Sequence, residues 1–286
     1  MKQSELLHQA RHLARVLAMN YTNLNTPENS VLTHQISTLY GQSLVAQHLN
    51  HFDLVFSAGP YCRSAFHLRR LFNNQKAFPF DWWLTPATSL YRMLEPEYNF
   101  NLKCENIHLT QSSQIVLNNR DQILHIHDFK RLSTGGISLE NLENQLEEIN
   151  SKYRFLFKRL HQYLLAANNC MVIFEGLIPA SDLESYRIKS SCKEIIYPNL
   201  NTDFASELVN MLQTNYNVTP TLVSFEIGAP AIEQCHNLLR ISAPALASIF
   251  DNDAEPYQRP WATYDLLFAQ LCIALSATQF GPYSYN

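Results

Sequence analysis

The chain has 286 residues, 46% of them hydrophobic and 12% aromatic, and carries a net charge of −4. This is enough apolar material for a sizeable core and unlike a disordered chain, and the scattered Lys and Arg form no basic stripe, so nucleic acid is not an expected partner. No stretch approaches the roughly 18 uninterrupted apolar residues of a membrane span, which predicts no membrane-crossing helix.

Residues 3–19 place Leu6, Leu7, Ala10, Leu13, Val16 and Leu17 on one helical face, and residues 31–48 do the same with Val31, Ile36, Leu39, Tyr40, Leu44 and Val45. The spacing predicts two helices joined by an Asn-, Thr- and Pro-rich loop, forming an N-terminal extension (1–50) ahead of an α/β domain (51–286). The extension packs on the main body or forms a small lid, and it offers a surface for a protein partner. Glu5, His8, Arg11 and Arg15 interrupt its first helix, so it does not read as a secretory signal.

Phe52 to Phe56 is a short run of strand formers stopped by Ala58-Gly59-Pro60, and Arg63 to Phe72 follows as a helix with Ala65, Phe66, Leu68, Leu71 and Phe72 inward. Cys62 falls at or just before its first turn. After Phe78-Pro79-Phe80-Asp81-Trp82-Trp83, Pro86 to Leu94 reads as a helix with Thr85 as N-cap. Gln114 to Leu117 and Gln122 to His127 form a predicted hairpin around Asn118 to Asp121.

A long helical region is expected from Leu139 to Ala167, with an interruption near Asn150-Ser151. Its basic cluster of Lys152, Arg154, Lys158 and Arg159 reads as a solvated face. The last third alternates: strand 171–174, strand 194–197, helix 203–213, strands 221–227 and 238–241, helix 261–275. The expected fold is therefore a layered α/β domain with a mixed, largely parallel sheet, preceded by the two N-terminal helices.

The six cysteines are spread out with no C-x-x-C pair, which points to a reducing, cytoplasmic compartment; Cys170 and Cys272 lie among apolar neighbours and read as core. The 7 glycines form no phosphate-cradling loop, so no nucleotide cofactor is expected. His125-x-His127-Asp128 offers two imidazoles but no third ligand at motif spacing, so no metal is expected either.

A thiol attacks as its thiolate, which helix N-terminal amides stabilise. Cys62 has that position, and the free N–H groups of Cys62, Arg63 and Ser64 can face a developing oxyanion. Asp81 sits in an aromatic frame of Phe80, Trp82 and Trp83. It can orient a histidine, receive a substrate amine, or bind backbone amides as a turn carboxylate.

The order G-x-x-C (Gly59, Cys62), A-x-x-L-R-R (Ala65 to Arg70), P-F-D-W (Pro79 to Trp82) and H-D-F (His127 to Phe129) resembles the bacterial domain-of-unknown-function family described as papain-like cysteine peptidases. The resemblance spans residues 52–129 and implies Cys62 as nucleophile and His127 as its base, with Asp81 the candidate third member. His125, two residues away on the same predicted strand face, competes with His127, whereas Asp128 would point to the opposite face. Trp82, Phe80 and Arg63 are the candidate substrate contacts. None of the five residues before Gly59 is the glutamine that completes the oxyanion hole in papain-like enzymes; Asn73, Asn74 and Gln75 are the candidate substitutes.

The expected activity is that of a cysteine hydrolase or acyltransferase acting on a peptide, amide or ester. The alternatives are a carbohydrate- or nucleotide-sugar-handling protein that uses the aromatic segment as a binding surface, and a protein-interaction module.

Overall fold

In the computed structural model of the chain the described residues are 52–59, 62–72, 76–109, 115–176, 202–227, 231–235, 238–243 and helical positions within 267–275. The N-terminal extension, the strand expected at 194–197, the Asn73 to Gln75 candidates and Cys272 lie outside them.

The apolar run at the start of the domain forms β1 (Leu54–Ser57), followed by helix α1 (Cys62–Phe72), a 3-10 turn (Pro79–Trp82), β2 (Trp83–Leu84) and α2 (Ala87–Met93). Then come a second 3-10 turn (Cys104–Asn106), β3 (Ile107–Leu109), β4 (Val116–Asn118), β5 (Ile123–His125) and the long helix α3 (Leu142–Ala166). The rest comprises β6 (Asn169–Gly176), α4 (Thr202–Tyr216), β7 (Thr219–Ile227), β8 (Ala231–Cys235) and β9 (Leu238–Ala243).

Two sheets result. The larger has strand order β1-β6-β7-β9-β8, parallel except for β8, and the smaller is an antiparallel β2-β5-β4-β3 sheet. This is the expected α/β arrangement with a largely parallel sheet. β6 is an inner strand of the larger sheet and is apolar on both faces, as parallel strands covered on both sides are. Cys170, Val172 and Phe174 point to the side of α3 and α4, while Met171, Ile173 and Glu175 point to the side of α1. On that second side Phe225 meets Phe268 of the 267–275 helix at 5.0 Å between rings.

α3 lies between the two sheets. Its inward stripe of Leu146, Ile149, Tyr153, Leu156, Phe157, Leu160 and Leu164 shares one apolar cluster with Phe56 and Val172 of the larger sheet and with Trp83, Val116 and Ile123 of the smaller. The helix is continuous through Asn150-Ser151 because Asn150 turns inward, accepting from Leu102 N at 2.7 Å and donating to Leu102 O at 2.8 Å. A buried amide that bonds a loop's backbone in both directions does not disturb the helix around it.

The basic residues of α3 are not merely a solvated face. Lys152 donates to Asp128 at 2.8 Å, Arg154 to Phe100 O at 3.2 Å, and Arg159 to Ala77 O. Three loops are pinned to one helix in this way.

Thr85 is not the cap of α2. Pro86 occupies the N-cap position, and Thr85 is buried with its Oγ1 unpartnered, facing Gly59. The short strands β2 and β3 and the edge strand β8 carry no clear sequence pattern, and none of the three was expected.

Candidate active site

The first part of the site is the turn after β1. Gly59 has φ +90°, a conformation that side-chain-bearing residues rarely adopt, and a Cβ there would stand 3.3 Å from Thr85 Cβ. Its N–H faces Ser57 Oγ at 3.4 Å, and its carbonyl accepts from Glu175 N at 2.7 Å. The turn is thus clamped onto the carboxyl end of β6. Cys62 is the first residue of α1, so it stands where helix amides have no intrahelical acceptor. The side chains of Cys62 and Arg63 lie outside the described residues.

Two residues on, Ser64 is wholly buried and donates to Glu175 Oε2 at 2.9 Å. Glu175, a fully buried carboxyl against the first turn of α1, was missed by sequence reasoning. It reads there as the tail of a hydrophobic strand, and only the parallel pairing of β1 with β6 brings it to the helix start.

The second part is the Pro-Phe-Asp-Trp turn. Asp81 is buried; its Oδ2 accepts from Phe78 N at 2.8 Å and from the Arg69 guanidinium of α1. Burial pushes its pKa up to about 6, against the opposing pull of Arg69, the Phe78 amide and Arg159. Its Oδ2 is engaged by a cation and an amide, the turn-carboxylate arrangement, and its described partners include no histidine.

Phe80 is wholly buried, edge-on to Trp83 and Phe157. This corrects its assignment as a substrate contact, since a ring with no exposed surface is part of the core. Trp83 is equally buried. Trp82 alone of these aromatics is half-buried, with the Arg69 guanidinium 5.4 Å from its ring centre.

The third part is the end of β5. The strand stops at His125 and residues 126–129 bend, so His125 and His127 do not share a face as expected from a continuing strand. His125 is fully buried in a box of Trp83, Phe100, Phe129 and Tyr153 rings. His127 is exposed and stands edge-to-face with Trp82 at 6.2 Å.

Asp128, expected to point away, instead turns inward. Its carboxylate accepts from His125 Nδ1 at 2.7 Å, Trp83 Nε1 at 3.0 Å, Tyr153 OH at 2.7 and 2.8 Å, and Lys152 Nζ at 2.8 Å. Burial acts to raise its pKa, but the His125 bond and charge together with Lys152 outweigh it and hold the group well below the usual carboxylate range. An ionised carboxylate only accepts, so the proton of the pair sits on His125 Nδ1. His125 Nε2 meets no hydrogen-bond partner.

Trp82 is the junction between the two motifs: Arg69 of α1 lies over it and His127 stands against it. Seven residues, about 10 Å of helix axis, separate Arg69 from Cys62. Through Trp82, His127 is linked to Arg69 of α1, the helix that Cys62 opens.

Of the other thiols, Cys170 is buried and pushed up to about 12 by desolvation, and Cys104 is exposed. Among the described residues no group of three or more His, Cys, Asp or Glu is placed to hold a metal ion, and no helix is long and apolar enough to cross a membrane. Comparison with protein-family models, with curated proteins and with solved structures finds no match for this chain.

Proposed function

We propose that the protein is a thiol-dependent acyl-transfer enzyme, a hydrolase or transferase of an amide, peptide or ester, with Cys62 as nucleophile and His127 as base. The observation that carries this reading is the placement of Cys62 as the first residue of α1, directly after a glycine turn clamped to the carboxyl edge of the parallel strands. Helix-start amides favour a thiolate there and can also receive the oxyanion that forms when it attacks a carbonyl. The resemblance of residues 52–129 to the family described as papain-like cysteine peptidases supports the same assignment.

His127 is preferred to His125 on accessibility. A base must exchange protons with thiol and leaving group, and His125 is shut inside an aromatic box with its Nδ1 committed to Asp128. In the proposed cycle His127 takes the Cys62 proton, and the thiolate adds to the carbonyl carbon. Collapse of the tetrahedral adduct expels the amine or alcohol, which leaves with the proton from His127. Water or another acceptor, deprotonated by the same imidazole, then attacks the thioester carbonyl; the C–S bond breaks, the acyl product leaves, and the Cys62 thiolate takes the proton back from the imidazolium.

The test uses the protein's own cysteines as references. Iodoacetamide labelling followed by peptide mass spectrometry between pH 6 and 9 should modify Cys62 ahead of exposed Cys104, with buried Cys170 last. His127→Gln should slow Cys62 and leave Cys104 unchanged. If Cys62 labels at the rate of Cys104 and ignores the His127 substitution, the reading fails.

A further inference from the structure

Asp128 is the most heavily engaged carboxylate among the described residues, and the thiol mechanism proposed above assigns it no step. Five described contacts from four residues converge on it, and the donors belong to three elements: Trp83 of β2, His125 of β5, and Lys152 and Tyr153 of α3. Both oxygens are closed to water, although Lys152 itself is partly exposed. The residue immediately before it is His127.

Because the peptide link between the two is short and stiff, a carboxylate held from three sides fixes the backbone from which the His127 ring projects. Trp82 stands edge-to-face with that ring. The 126–129 bend is no regular element, so these bonds take the place of a ladder in holding it.

We propose that Asp128 is the positioning residue for His127, fixing where its ring stands against Trp82 and, together with Lys152, setting the charge it sees. This rests on the reading of His127 as the working base. The charged groups placed around His127 are Asp128 and Arg131 on its own segment, Lys152 on α3, and the Arg69–Asp81 pair behind Trp82. Arg131 is itself anchored, donating to Ile126 O at 2.6 Å and Gly135 O at 2.9 Å, so the cationic side of the balance is also fixed. Partial desolvation lowers the His127 pKa, Asp128 opposes that, and Arg131 and Lys152 add to it.

Two substitutions within one ion pair therefore have opposite effects on a neighbouring ring, which a purely structural role for the pair would not produce. The experiment is a proton NMR titration of the His127 ring in the full chain, in wild type, Asp128→Asn and Lys152→Met, with His127→Gln for assignment. Asp128→Asn should move the midpoint down and Lys152→Met should move it up, each by about half a pH unit for a ring partly screened by water. The wild-type ring should also show a ring-current displacement of its resonances from the edge-to-face Trp82 that Trp82→Ala abolishes and Asp128→Asn diminishes.

Midpoints that stay put in both variants, or that move in the same direction, overturn the proposal. Should Asp128→Asn not fold, Lys152→Met decides alone: an upward shift supports it, and no shift or a downward one overturns it. The outcome is separable from that of the thiol reading, because a Cys62 labelling rate indifferent to His127→Gln defeats that reading without altering how His127 titrates.

Discussion

His125 and His127 are two residues apart, yet the first donates from Nδ1 to Asp128 at 2.7 Å inside a closed aromatic box while the second stands exposed at the edge of Trp82. One imidazole is built into the protein and the other is presented by it. The two should therefore respond differently to substitution.

His125→Leu removes the donor matched to a buried, ionised Asp128. It should cost about 1–3 kcal/mol, as removal of one donor from a buried carboxylate does. His127→Gln, on the surface, should change stability by less than about 0.5 kcal/mol. Urea denaturation of both variants measures the difference, and comparable costs would contradict the division of roles.

Asp128 gives stability a particular pH dependence. Its folded pKa is depressed, so its contribution is present above the unfolded value near 4 and is lost as pH falls through the lower folded value. Asp128→Ala should cost about 3–5 kcal/mol at pH 7, and the gap from wild type should narrow steadily below pH 4.

Asp81 behaves in the opposite sense. With its folded pKa raised from 3.8 to about 6, the stability it lends is complete below 3.8 and is lost as pH rises to 6 and beyond. An uncharged Asp81→Asn variant lacks this loss. Between pH 4 and 7 wild type should therefore decline relative to Asp81→Asn, by up to about 3 kcal/mol for a displacement near two pH units. Parallel stability curves for the two proteins would show that Arg69 offsets the burial fully.

Gly59→Ala tests the turn that delivers Cys62. The φ of +90° and the close Thr85 Cβ both oppose a methyl group, so the substitution should destabilise by about 1–3 kcal/mol. Iodoacetamide labelling of Cys62 in the folded variant should be slowed, since a displaced turn misaligns the helix start. Unchanged labelling would mean that the turn is dispensable to the thiol.

The β1–turn–α1 unit was legible because its signals are local: a run of strand formers, a Gly-Pro stop, and apolar residues at helical spacing. The long α3 and the elements β6, α4, β7 and β9 after it were legible for the same reason. The fate of His125 and His127 was not. Period-two reasoning holds only while a strand continues, and β5 ends at His125, where Asp128 is drawn inward by Lys152 and Tyr153 from a helix far along the chain. Glu175 was hidden in the same way, since nothing near it in sequence reveals that β6 lies beside β1. The PFDW segment was only partly legible. Its aromatic frame around Asp81 was visible, but which of Phe80, Trp82 and Trp83 remains accessible depends on how α3 packs beneath it.

The pairing of β1 with β6 also bears on how the protein comes into being. Glu175, which anchors both Gly59 and Ser64, is made more than a hundred residues after Cys62, and Lys152 and Tyr153 follow the segment they hold. At about 5–20 residues per second, a growing chain spends several seconds with its thiol segment already outside the ribosome and its supports still unmade. Cys62 is thus without its scaffold throughout early synthesis, and the turn before it is clamped only once β6 has emerged.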